Sequence, residues 1–580
     1  MSQMRFAAAR GYAFVKRHKA GAALAVLLLI YGTLVFGVLP RPVFFSGDEG
    51  EKLVVAASVA RSGDLWNVAY EYPGRDFDPE IRLFFCPWMK VAKSDPVPYH
   101  LSTLTFLNAP LYALLGVDGM YLLPLLSGIG VAWLAYLLAR LMELPGAWAI
   151  PLVVGVCTPM FFYSLTTWDH APTVLYSTLA VYWMARQARR LRWWEMGLAG
   201  IVTGLGMWTR YEMYLFAGAV VLAYVYVFRL DRRAWKGLVP FAIGLALVVA
   251  LMEAQIRTVY GGTNVLDLWL TRFVGEQGGQ EAALVADVLR GVLLRRAETV
   301  LALTVDGSSV WLERVFLALA FVGTIVVNRS RKLQRRPLLV MGSALMQAIG
   351  TVLALVHMRI GTLVGLVPTL PLSALGLVYT SPPATVRPPS RRIVLDLLAT
   401  ASVIYLLLGM FLLPAWGSLG WGPRYLAQLF PLLAMLAWAT LWRSLAAQRD
   451  ADSRKAIYLA FGALFVLSLI MQCVGVGLLY DKKQRMLSMY DTTRALDADY
   501  LLSEQTWYLQ EMASLYFEKR FFHLRSQEEY DTVMERFYRH GVRRFAWVPS
   551  QVSAIEPILE TGAFAVRPID ELLYEIVSVD

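Results

Sequence analysis

The chain has 580 residues, of which 57% are hydrophobic and only 17% charged. That balance excludes a string of soluble domains and indicates a polytopic membrane protein whose main solvent is the bilayer. The net charge of +11 does not mark a nucleic-acid partner, because Lys and Arg gather in every second loop, as the positive-inside rule requires.

From the N-terminus, Ala20 to Leu39 is the first apolar run long enough to cross. No small-residue cleavage site follows it, so it predicts a retained helix rather than a signal peptide. With a cytoplasmic N-terminus this helix runs outward and leaves a loop over 41–118 outside. "SGDEGEKLVVAASVARSGDLW" opens that loop. Ser46 as N-cap and Glu49 at the third helical position fit a capping box, and Ser62-Gly63 ends the run, so a short helix begins with Asp48, Glu49 and Glu51. Acids in a first helical turn meet the macrodipole favourably, which alone asks for no function. Tyr99 to Gly116 is expected to lie flat in the outer interface, since counting it as a span would expose the basic loops Arg186 to Arg192 and Arg331 to Arg336.

Spans are then predicted at 119 to 140, 146 to 167, 171 to 188, 193 to 210, 212 to 229, 237 to 257, 310 to 328, 337 to 356, 360 to 380, 393 to 413, 423 to 442 and 456 to 479. With the first helix they make about thirteen, an odd number that leaves the C-terminus outside. Between them, an outer loop over 259–309 holds Gly278-Gly279 as a hinge for closure or is an ordinary interfacial loop. The Pro-rich Ser381 to Arg392 is a cytoplasmic linker. The three cysteines match no disulfide framework or metal spacing and are read as packing residues. Trp168, Trp416 and Trp421 are assigned to an interfacial aromatic belt. From Asp481 the charge density rises, and "DYLLSEQTWYL", "YDTVMERFYRHG", "VRRFAWVP" and "LLYEIVSV" alternate strand and helix patterns. The expected division is therefore a transmembrane domain over 1–480 and a small extracytoplasmic α/β domain over 481–580.

Several helix ends on the outer side carry charge: Asp169 and His170 in "TTWDH", Arg210 and Glu212 in "WTRYE", Glu253 and Arg257 in "EAQIRTVY", His357 and Arg359 in "HMR", and Arg424 and Tyr425 in "WGPRY". Charges near membrane depth are costly and mark substrate paths. Carboxylates and arginines converging on one face suit an anion such as a phosphate, which Arg grips with two donors. The alternatives are plain: Arg210 with Glu212, and Glu253 with Arg257, can simply pair with each other, and the histidines can be ordinary interfacial or core residues. Arg424 follows Gly422-Pro423 at a helix start, where a cation opposes the dipole and a ligand is the better explanation.

With the "SGDEG" loop, the short helix ending "RSGDLW", the interfacial segment and "TTWDH" at the end of the third span, the chain resembles the GT-C superfamily of polyprenyl-phosphate-sugar glycosyltransferases. In layout it is most similar to the lipid A aminoarabinose transferases and the protein O-mannosyltransferases. "GLAGIVTGLGMWTRYEMYL" resembles the Gly-rich fifth span of that group and "GPRYLAQLFPLLA" a late outer motif. The resemblance implies that Asp48 acts on the acceptor and that Asp169 is the second outer acid. One departure is that "DPVPYHLS" stands where the aminoarabinose transferases carry a Lys before a Pro, leaving Lys93 and His100 as imperfect substitutes.

A sugar on a polyprenyl phosphate already carries its leaving group, so transfer needs a base on the acceptor hydroxyl and positive charge on the departing phosphate. The expected reaction is an inverting transfer to a lipid, glycan or protein acceptor, in a bacterial inner membrane. Asp48 serves as base, and Arg424, Tyr425, Arg210, Arg257 and Arg359 face the donor phosphate. Glu49, His100, His170, Glu212 and His357 would bind acceptor or support the site. No nucleotide motif is present and no cofactor is required, although a divalent metal shared by Asp48, Asp169 and His170 is an alternative to Arg pairing. The rival readings are a secondary transporter for an anionic or lipid-linked substrate and an enzyme of the same fold that transfers a whole oligosaccharide.

Overall fold

The computed structural model describes residues 19–86, 89–99, 101–229, 231–265, 311–358, 363, 365–379, 390–412, 420–550 and 564–578. Arg359, His100, Trp416, the Pro-rich linker but for its last residues, and all but the start of the 259–309 loop lie outside those residues.

The protein is a multi-pass helical membrane protein with a small C-terminal sheet domain. Its first half contains α1 (Lys19–Val38), α2 (Gly47–Ser62), α3 (Leu104–Leu115), α4 (Val117–Leu141), α5 (Ile150–Val156), α6 (Met160–Tyr163), α7 (His170–Arg186), α8 (Trp193–Thr209), α9 (Glu212–Val227) and α10 (Leu238–Tyr260). Then come α11 (Trp311–Arg329), α12 (Pro337–Val356), α13 (Leu366–Thr369), α14 (Ser373–Leu377), α15 (Ser390–Leu412), α16 (Leu429–Ala447) and α17 (Ala451–Ala495). Seven described helices, α1, α4, α10, α12, α15, α16 and α17, are long and apolar enough to cross a membrane by length and composition. The shorter α7, α8 and α9 pack among them, α7 against α4 and α8, and α9 against α15.

Two predicted spans are not continuous helices. The segment 146 to 167 breaks after α5 at Cys157-Thr158-Pro159 and resumes as α6. Pro159 has no N–H to donate, and the Thr158 hydroxyl donates to the Val154 carbonyl at 2.6 Å and accepts the Met160 N–H at 3.2 Å. The segment 360 to 380 breaks between α13 and α14 around Pro371. Side chains from neighbouring helices take up its freed backbone groups. Gln472 Nε2 donates to the Thr369 carbonyl at 2.6 Å, Gln347 Nε2 donates to the Pro371 carbonyl at 2.7 Å, and Ser468 Oγ accepts the Leu372 N–H at 3.3 Å. Broken helices are tolerated at membrane depth only when their backbone is satisfied in this way.

α3 has 12 residues, too few to cross, and Gly116 turns the chain directly into α4. Two further expectations change. Trp168 and Trp421 belong to no surface belt: both are fully buried in the core. The helix expected at 456 to 479 is 45 residues long, about 68 Å at 1.5 Å per residue, so the 480/481 boundary falls inside it and α17 is both a membrane helix and the stalk of the last domain.

That domain holds β3 (Tyr500–Ser503), α18 (Thr506–Glu511), β4 (Arg520–His523), α19 (Gln527–Arg539), β5 (Arg544–Val548), β6 (Phe564–Pro568) and β7 (Tyr574–Ser578). The sheet order is β4-β3-β5-β7-β6, with β3 parallel to β4 and β5, and β7 antiparallel to β5 and β6. It does not stand apart from the loop over 41–118, which carries α2 and a hairpin of β1 (Met89–Ala92) and β2 (Asp95–Pro98). The two share one core: Phe77 meets Tyr500 and Phe537 with ring centroids 5.1 and 5.7 Å apart, and Phe85 meets Tyr516 at 4.8 Å. The His523 N–H also donates to the Leu83 carbonyl at 2.8 Å. Buried aromatic pairs of this kind add to the area they remove from water.

Candidate active site

Four places bring charge together at the end of the helical bundle that carries the sheet domain. They are the first turn of α2, the turn before α7, the α8–α9 junction, and the loop before α16.

α2 starts where it does because Glu49 reaches back along the chain. One of its carboxylate oxygens accepts the N–H groups of Phe45 at 2.7 Å and Ser46 at 3.3 Å. The other accepts the Thr167 N–H at 2.6 Å and its hydroxyl at 3.3 Å. Buried and fully engaged, Glu49 staples the start of α2 to the turn that precedes Asp169.

Its neighbour Asp48 is the accessible acid, with 46% of its side chain exposed, and its Oδ2 lies 3.4 Å from Arg424 Nη1. Arg424 is only 11% exposed. Its guanidinium lies over the rings of Trp168 and Tyr425, at 5.6 and 5.2 Å from their centroids, and Nη2 donates to the Tyr425 hydroxyl at 3.4 Å. Aromatic faces hold a cation at modest desolvation cost, which is how the chain keeps Arg424 at this depth.

The loop that presents Arg424 rests on both helix breaks. Gly422 has φ 80°, and a Cβ there would lie 3.0 Å from Thr369 Oγ1 beside one break and 3.2 Å from Pro159 Cγ in the other. Its N–H donates to the Leu363 carbonyl at 2.6 Å, and the adjacent Trp421 donates its indole N–H to Gln472 Oε1 at 3.0 Å. The left-handed backbone and the tight approach both call for glycine.

Asp169 is buried and held by two cations. Its Oδ1 is 2.5 Å from Arg210 Nη1 and its Oδ2 is 3.2 Å from Lys52 Nζ. Burial would raise its pKa, but the charges of Arg210 and Lys52 outweigh burial and hold the carboxyl well below the usual carboxylate range. Asp169 therefore stays ionised at any physiological pH. Arg210 also pairs through Nε with the buried Glu212 at 2.5 Å and lies 5.9 Å from the Tyr425 ring centroid, so Tyr425 stands between the two arginines. His170 is buried, its ring 4.7 Å from Tyr163 and 5.4 Å from Trp168.

Other candidates sit elsewhere. Arg257 is 63% exposed and pairs with Glu253 at 2.6 Å on α10. His357, at the end of α12, lies 3.0 Å from Glu313. Lys52 was missed by sequence reasoning although it had a signal, since it follows Asp48 by one helical turn and so shares its face. Lys482 and Lys483 of α17 were missed with no such signal: Lys482 Nζ donates to the Phe45 carbonyl at 2.5 Å and Lys483 Nζ to the Tyr121 hydroxyl at 2.7 Å.

The divalent ion considered from the sequence does not fit this arrangement. Both Asp169 oxygens are committed to cations, and among the described residues no group of three His, Cys, Asp or Glu side chains could hold a metal. What the site can do is take a proton at an open carboxylate and meet an anion at the guanidinium beside it.

No protein-family model and no curated protein matches the chain. Solved structures do match in fold. ArnT from Cupriavidus metallidurans in the apo state aligns with a TM-score of 0.54 over 99% of this chain and 98% of its own, at 14% identity. The same protein bound to undecaprenyl phosphate aligns at 0.53 over 96% and 97%, at 13% identity. The chain therefore shares its fold with these structures.

Proposed function

We propose that the chain is an integral-membrane glycosyltransferase that moves a sugar from a polyprenyl-phosphate donor to a lipid, glycan or protein acceptor. The observation that carries this reading is the open carboxylate of Asp48 set 3.4 Å from the buried guanidinium of Arg424. A fold shared with a protein solved with undecaprenyl phosphate supports the donor class.

In this reading the acceptor hydroxyl lies against Asp48 and the donor phosphate against Arg424, with Tyr425 and Arg210 behind it. The acceptor oxygen attacks the anomeric carbon from the side opposite the phosphate. The bond from that carbon to the phosphate oxygen breaks, its electron pair leaves with the polyprenyl phosphate, and the hydroxyl proton passes to Asp48, inverting the anomeric centre. A carboxylate is a far weaker base than an alkoxide, so the proton moves late, once attack has made the oxygen acidic. Arg424 acts where charge grows, on the leaving phosphate. Asp169, tied to Lys52 and Arg210, orders the cations around the phosphate and needs no proton of its own. In this reading the N-terminus is cytoplasmic and this site, with the C-terminal domain, lies on the outer side of a bacterial inner membrane, an orientation that the alternation of basic loops supports.

The test is transfer of radiolabelled sugar from a panel of polyprenyl-phosphate sugars into a membrane extract, comparing purified wild type with Asp48→Asn. Wild type is expected to transfer label from at least one donor, and the variant to lose about 10²- to 10⁴-fold, the usual worth of a general base. Undiminished transfer by folded Asp48→Asn would remove Asp48 from the mechanism. The two interrupted helix segments also suit a secondary transporter. That reading predicts no label transfer from any donor, together with substrate movement across sealed vesicles.

A further inference from the structure

The C-terminal domain touches the helix that carries Asp48 at its very start. α18 lies across the first turn of α2 so closely that a Cβ at Gly50 would fall 1.7 Å from the Gln510 carbonyl oxygen, and one at Gly47 would fall 1.9 Å from Gln510 Oε1. Next to this contact Lys482 of α17 bridges the two bodies, with Nζ 2.5 Å from the Phe45 carbonyl, just ahead of α2, and 2.6 Å from Glu511 Oε1 at the end of α18. Glu511 is 1% exposed, and its second oxygen has no hydrogen-bond partner among the described residues. Cys86, a buried thiol in the 41–118 loop, accepts from Gln510 Nε2 at 3.7 Å and so lies at the same junction.

We propose that Lys482 and Glu511 are positioning residues that hold the C-terminal domain on the first turn of α2 and thereby set where Asp48 stands. Docking stands independently of the chemistry, and its effect on catalysis rests on the glycosyltransferase reading above. Neither residue touches substrate; both act through the backbone around Phe45 and α2.

This junction senses pH. Burial pushes the Glu511 carboxyl up to about 7, against the opposing pull of Lys482 and with a further rise from the Glu49 charge on α2. Lys483 faces the other way, onto the Tyr121 hydroxyl. From β4, His523 bonds Thr506 at the start of α18. Burial and the nearby Arg525 charge lower its pKa to about 4, so it is neutral through the window that matters here. A carboxyl whose pKa is higher docked than undocked favours docking at low pH and loses that advantage as pH rises through the docked value. With about 7 docked and the ordinary 4.5 undocked, the undocked fraction grows about tenfold from pH 6 to pH 8.5.

Cys86 labelling reads the docking without reference to activity. In full-length protein with Cys473→Ser, the rate of maleimide modification at Cys86 is measured from pH 6 to pH 8.5, in the Glu511 form and with Glu511→Gln. The rise in thiolate with pH is common to both and cancels in the ratio. That ratio is expected to grow about tenfold with pH, and a flat ratio overturns the proposal. Should Glu511→Gln not fold, Lys482→Met replaces it. Loss of the ammonium is expected to speed Cys86 labelling at pH 8.5, and unchanged labelling overturns the proposal equally. Where transfer is also measurable, wild-type kcat is expected to fall above pH 7 with donor KM unchanged, and Glu511→Gln to be flat. A pH-dependent labelling ratio with no transfer from any donor would sink the function and leave the docking standing.

Discussion

Arg424 makes the sharpest demand on a single side chain. It meets Asp48, the Tyr425 hydroxyl and the face of Trp168 at once. A planar guanidinium can serve several directions, whereas an ammonium is a point charge that stacks less well. Arg424→Lys is therefore expected to lose about 10- to 100-fold in kcat/KM, a loss of roughly 1.4 to 2.7 kcal/mol in transition-state stabilisation. Membrane yield and thermal unfolding should stay unchanged, and transfer within twofold of wild type would show that charge alone suffices. The residues gathered here were legible as a class, because charged side chains at helix ends in so apolar a chain have few uses. Their azimuth was not legible. Arg257 and His357 fit the same sequence rule as Arg210 and Arg424, yet the fold turns them towards Glu253 and Glu313. Trp168 failed for the same reason: a tryptophan near a helix end reads as an interface residue until tertiary packing shows it beneath an arginine.

The elements that position Arg424 are the two that departed from expectation. Hydropathy reports only whether a segment is apolar, so 146 to 167 and 360 to 380 looked like ordinary spans. Their prolines were a visible sign of interruption, but not of what would satisfy the broken backbone. For 360 to 380 those partners come from α12 and α17, over a hundred residues away in the case of Gln472. This one side chain holds the Thr369 carbonyl and the Trp421 indole, one on each side of the loop before Arg424. Gln472→Leu keeps the volume but strands both groups, at about 1–3 kcal/mol for each buried polar group left unpaired. The expected result is a lower unfolding temperature together with reduced transfer. A variant as stable and active as wild type would mean that the break is held from elsewhere. By contrast α2, with its capping box and terminal glycine, was readable because its signals are local.

For the whole molecule, the membrane class and the alternation of charged loops were written in composition, while the union of the last domain with the 41–118 loop was not. Nothing local links Phe77 to Tyr500 or Phe85 to Tyr516, so a boundary at 480 looked natural. The shared core predicts that a chain ending at residue 495 keeps its membrane helices but leaves its first loop open, cut by protease between Trp66 and Pro98 at far lower protease concentration than the full protein. Equal resistance would show that the loop folds without the domain. The same union orders events during biosynthesis. At the usual 5 to 20 residues per second, roughly 25 to 90 s separate the synthesis of Asp48 from that of Glu511. Throughout that interval the aromatic face of the first loop waits for a partner not yet made. An unfinished chain thus lacks the contacts that seat the start of α2, and a part made late in synthesis completes one made early.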